Sequence, residues 1–171
     1  MNDFWVVYDK TSGEELYRGS GAPGAAGYQT LPDGTALIAV PMEVVRSPTL
    51  NLDALRDALS ISIDNMAEQM RSRFVTALPA QIGTYVLKES AARAWLADND
   101  ASTVMLAPEA AARGMTVAEL AAEVIANANA WNELSGQIEG IRFGAKARVT
   151  SATTIGAMAE AAYVDWSQVG G

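Results

Sequence analysis

Apolar and polar positions change rhythm once along this chain, near residue 48. Residues 4–8 (FWVVY) are aromatic and β-branched, a composition that favours a strand. The cluster 9–13 (DKTSG) predicts a turn, and 15–18 the returning strand of a hairpin. Residues 19–27 hold four glycines, one proline and three alanines, which predicts a flexible loop with little side chain to pack. A short strand is open at 28–30. Asp33 and Gly34 suit a tight turn, and 36–40 (ALIAV) predicts a strand that stops at Pro41, which cannot donate to a ladder. Three or four strands in an antiparallel meander are expected. A sheet that small needs something to lean on.

After Ser47 and Pro48, expected to form a linker, the helical period takes over. Leu52, Leu55, Leu59, Ile63, Met66, Met70 and Phe74 recur at three or four, one apolar stripe. Asp53 and Asp57 near its start and Arg71 and Arg73 near its end suit the helix dipole. Pro79 ends or kinks this helix. A second helix is expected over 80–97, broken by Asp98, Asn99 and Asp100. A compact turn of helix follows from Pro108 to its stop at Gly114. Thr116 and Glu119 form a capping box that opens the longest helix. Its near-heptad positions run from Val117 through Leu120, Val124, Trp131, Ile138, Ala145 and Val149, over a length of about 50 Å. A short helix over 154–163 and a loose tail at 168–171 complete the reading. The expected fold is α+β and mainly α, with a small β module at 1–47 and a helical bundle domain at 48–171.

Composition narrows the chemistry. Half the residues are apolar and 19% are charged, enough for a real core. The net charge of −8 repels phosphate backbones and anionic lipid, so neither nucleic-acid nor membrane partners are expected. There is no cysteine and no histidine. Thiolate chemistry is thereby excluded, as are the commonest neutral-pH base and the commonest transition-metal ligand. The first five residues carry no positive region and no apolar run is long enough to span a bilayer, so neither signal peptide nor membrane span is expected.

The candidate motifs are few. Asp64, Glu68 and Arg71 share a helix face, as solvated ion pairs usually do. Asp98 and Asp100 lack the ligand spacing and closing glutamate of a calcium loop. The glycines of 19–27 lack the lysine and hydroxyl residue of a phosphate loop. No catalytic, cofactor-binding or metal-ligating residue is expected. Gly136, Gly140 and Gly144 are different: interior helix glycines cost about 1 kcal/mol each relative to alanine. Internal packing, a partner interface and a break in the helix are three ways to explain them. Charged neighbours such as Glu133, Glu139, Arg142 and Lys146 exclude a membrane reading. Trp131, Gly136, Gly140, Arg142 and Gly144 form the candidate interface.

Several stretches resemble small tail-associated proteins of tailed bacteriophages, of the tail fibre adaptor or assembly kind. They are 5–13 (WVVYDKTSG), 71–76 (RSRFVT), 83–91 (GTYVLKESA), 114–125 (GMTVAELAAEVI), Trp131, 138–142 (IEGIR) and 147–155 (ARVTSATTI). The resemblance covers most of 51–162. The N-terminal module matches no named tail-fibre assembly family, and the glycine stripe departs from the pattern. The resemblance implies a non-enzymatic virion component at the tail tip or fibres, made in the host cytoplasm, or else a fibre-assembly chaperone that leaves before maturation. It implies other virion proteins as partners, self-association within the assembly, and no catalytic residues or cofactor.

Overall fold

A computed structural model describes residues 2–75 and 79–170, with Pro79 and Ala80 described in backbone only. Thr76, at the end of one stretch quoted for the resemblance, and Gly171 of the tail lie outside the described residues. The N-terminus forms a three-stranded antiparallel sheet, and the rest is mainly helical. Strand β1 (Asp3–Asp9) lies between β2 (Glu15–Gly21) and β3 (Thr35–Val40). Val6 stands opposite Arg18 on one side and Ile38 on the other. Helices α1 (Met42–Val45), α2 (Leu52–Arg71), α3 (Pro79–Ala97), α4 (Ala107–Arg113), α5 (Val117–Ser151) and α6 (Ile155–Ala162) follow.

Two expectations for the N-terminal region do not hold. The glycines at 19–27 are not simply a loop, because β2 continues through Gly19 to Gly21 and a 3-10 turn occupies Ala25–Tyr28. The reason is Trp5. Its buried indole lies across β2, and a Cβ on Gly19 would sit 2.6 Å from the ring. Residues 28–30 add no strand.

The chain forms two compact units, and they do not divide at residue 47. The first joins Met1–Gln69 to Glu139–Gln168. Its core sets Val6 of β1 and Val40 of β3 against Val44, Leu55, Ile155 and Met158 from α1, α2 and α6. The sheet is thus one wall of a shared core, which is what a sheet too small to stand alone requires. The expected linker is pinned as well: the Arg18 guanidinium donates to the carbonyls of Ser47 at 2.7 Å and Pro48 at 3.0 Å. Ion pairing with Glu15 at 2.6 Å holds that guanidinium in place.

The α2 stripe is core from Leu55 to Met70. Leu55, Ile63 and Met70 are buried, while Leu59 is half-buried between two apolar clusters. Phe74 lies past the helix end and is 48% exposed. Asn51 starts α2 by accepting the Ala54 N–H on its side chain. Ile63 packs with Ala145 and Val149 of α5 and Ala161 of α6. Thr154 caps α6 by accepting from Ala157 N at 3.2 Å.

The second unit joins Met70–Ile138 to Val169–Gly171. Its core is built from small and branched residues: Ala92, Leu106, Ala110, Leu120 and Ala121, with Trp95 packed against them. Gly114 stops α4 at φ 67°, and Thr116 and Glu119 exchange the reciprocal bonds of the capping box at 2.8 and 3.2 Å. Lys88 pairs with Glu109, and Arg113 reaches Glu123 at 2.8 Å. The tail is not loose throughout, since Val169 is buried and the Gly170 N–H donates to Gln137 Oε1 at 3.4 Å.

Candidate functional site

The long helix carries the candidate residues, and it is continuous through all three glycines, so the break is excluded. At about 100° per residue, positions 138, 142, 145, 146 and 149 share one side. Ile138, Ala145 and Val149 on that side are buried. Arg142 and Lys146 belong to it too. Arg142 donates to Asp64 Oδ1 and Lys146 to Asp64 Oδ2, both at 2.7 Å, and Arg142 also pairs with Glu139 at 2.7 Å. The Lys146 ammonium and then the Arg142 guanidinium hold the Asp64 carboxyl below its ordinary value of 3.8. This cluster clamps α5 to α2. Asp64, grouped in the sequence with Glu68 and Arg71, thus accepts bonds from α5.

Gly136 and Gly140 point the opposite way. Both are exposed, and a Cβ on either would meet nothing within 4 Å among the described residues. A Cβ on Gly144 would touch only the tip of Arg148, at 3.6 Å. Among the described residues no second backbone comes within 4 Å of a Cβ on Gly136, Gly140 or Gly144, so close packing there does not account for the glycines. The same side of the helix carries Phe143, 58% exposed, and the exposed Ala147. Sequence reading passed over these two, although their spacing of three and seven from Gly140 places them there. Of the five candidates, the structure brings Gly136, Gly140 and Gly144 together. It does not bring Arg142 onto the glycines: that side chain is 18% exposed and bonded to Asp64 and Glu139, with its guanidinium over the Phe143 ring at 4.1 Å from the centroid. Nor does it bring Trp131, half-buried and seven residues before Ile138 on the other side of the helix.

In the first unit a shallow groove of about 360 Å³ is lined by Glu14, Glu15, Pro48, Leu50 and Thr154 among others, with Glu15 already held by Arg18. A second of about 540 Å³ lies beside Arg148, Glu160 and Tyr163. Among the described residues no three His, Cys, Asp or Glu side chains converge as a metal site would require, and no helix is long and apolar enough to cross a membrane. Among the described residues, the buried Trp5 Nε1, Arg56 Nε and Trp166 Nε1 lack a partner. Trp5 is on β1, Arg56 on α2 and Trp166 past the end of α6. No family model matches the chain, and no match was found among curated proteins or solved structures.

Proposed function

We propose that this protein is a non-enzymatic structural or adaptor component of a tailed-bacteriophage virion, at the tail tip or fibres, and that the open side of α5 is a contact surface for another virion protein. The observation that supports the contact surface is the placement of Gly136, Gly140 and Phe143 on the solvent side of a continuous helix. Glycines there weaken the helix without relieving any crowding inside the chain. A smooth side beside an exposed aromatic ring suits close approach of a partner's backbone. The placement in a phage tail rests on the resemblance of residues 51–162.

Purified particles analysed by mass spectrometry test the placement: detection alongside other minor tail proteins is expected. If those are found and this chain is missing, the virion reading fails. Solubilisation of a co-expressed fibre protein would then point to a chaperone. Gly140→Leu tests the surface. Lost incorporation with a thermal melt at or above that of the wild type is the expected result, and a fully incorporated variant would remove α5 from the interface.

A further inference from the structure

The sheet has two outer strands, and their free edges differ. β2 carries Glu15 and Arg18, and its pairing with β1 shifts register between Val7 and Tyr8. Charges and irregularities of that kind keep an edge from accepting another strand. β3 has neither. Its six residues (TALIAV) are uncharged, and they pair with β1 in unbroken register, from Phe4 opposite Val40 to Asp9 opposite Thr35.

Two hydrogen bonds establish which groups β3 turns outward. The Asp9 N–H donates to Glu14 on the β2 side, and the Lys10 N–H donates to Gly34 on the β3 side. Main-chain groups alternate in direction along a strand, so the even-numbered residues of β3 bond to β1 while Thr35, Leu37 and Ala39 point away from it. Both ends of this outward edge are closed. The Thr35 N–H donates to the Pro32 carbonyl at 3.2 Å. Pro41 has no N–H, and its carbonyl accepts from Val44 at 3.1 Å. Between those ends, among the described residues, no hydrogen bond reaches the N–H of Leu37 or Ala39. Leu37 is half-buried and Ala39 exposed.

This short window is complementary to itself. A second β3, antiparallel and centred at Ile38, sets Leu37 opposite Ala39 of the other copy, twice. Each such pair exchanges two main-chain bonds, so all the free donors of both copies are used. The side chains suit that register, since the large Leu37 meets the small Ala39 and Ile38 meets Ile38 across the dyad. Centring at Leu37 would oppose Ala39 to Thr35, whose donor is taken. Centring at Ala39 would oppose Leu37 to Pro41, which has none. A longer strand from a different protein would run on against Pro41 at one end and the tied Thr35 at the other, whereas a second copy stops where the window stops. Self-matching of this kind is what an isologous interface requires.

We propose that two copies of this chain pair edge to edge through β3, antiparallel and centred at Ile38, joining their three-stranded sheets into one. This pairing depends neither on the phage-tail reading nor on the surface of α5.

Sedimentation of the full chain and residue-resolved amide hydrogen exchange test it together. The wild type is expected at twice the 18.0 kDa of one chain. From micromolar to millimolar concentration the Leu37 and Ala39 amides should become protected, while those of Ala36 and Ile38, bonded to β1, should be protected throughout. Ala39→Pro removes a donor that β1 does not use, so circular dichroism should show the fold kept. It deletes two of the bonds between copies and should weaken the dimer about tenfold or more. A wild type that stays single up to millimolar concentration overturns the proposal. So does a dimer whose Leu37 and Ala39 amides exchange freely, or a folded Ala39→Pro chain that dimerises as the wild type does. The exchange measurement needs no variant, so the test holds even where Ala39→Pro folds poorly.

Discussion

Glycines do opposite work in two regions of this protein. Where the β1–β2 turn meets α6, they are crowded. Gly13 adopts φ +74° and its carbonyl accepts the Gly156 N–H at 2.9 Å. A Cβ on Gly156 would lie 2.6 Å from the Gly13 Cα, and one on Gly13 would lie 2.3 Å from Thr154 Oγ1. Along the solvent side of α5, Gly136 and Gly140 have open space. The first set is required by neighbours within the chain. The second set meets nothing among the described residues and still weakens the helix. The difference teaches that a glycine pattern is explained by what stands beside it. Sequence spacing alone favours the regular α5 stripe over the isolated Gly13 and Gly156, which the fold depends on more.

Substitution should separate the two regions by sign as well as size. Gly156→Ala drives a methyl into backbone that cannot swing aside, and should cost about 3 kcal/mol in denaturant unfolding. An unchanged midpoint would mean that the turn and α6 are not in contact. Gly19→Ala meets the buried Trp5 ring rather than backbone, so about 2 kcal/mol is expected, with a change in tryptophan fluorescence. Gly140→Ala should do the reverse and raise the stability of the isolated chain by about 1 kcal/mol. A destabilised variant would show that the open side is covered within the chain.

The smallest effect concerns the core side of α5. Asp64 has a depressed folded-state pKa, held there first by Lys146 and then by Arg142. Its contribution is therefore full above the unfolded pKa and is lost as pH falls through the folded one. Its side chain is 42% exposed, so solvent screens the pair and a few tenths of a kcal/mol is expected. Asp64→Asn should be less stable than wild type near neutral pH and indistinguishable from it once pH drops well below 3.8. A gap that persists in acid would assign the loss to packing instead.

Much of this architecture is legible in the order of residues, because it depends on local chemistry. The 52–70 stripe, the Thr116–Glu119 box, the Gly114 stop and the strands at Asp3–Asp9 and Thr35–Val40 follow from periodicity, capping and propensity. The long helix follows from its near-heptad repeat, and the three glycines do not break it. What only the tertiary structure decided involves partners distant in sequence. Trp5 turns Gly19 and Gly21 into strand, Arg18 fastens the 46–49 connection, and Asp64 ties Arg142 of α5 to α2. The division into 1–47 and 48–171 follows the change in hydrophobic period, whereas the core ignores it: Val6, Leu55 and Met158 fill one space. Period reports the local backbone state, and burial reports which surfaces meet. A sheet of three short strands has no interior of its own, so α1, α2 and α6 had to supply it.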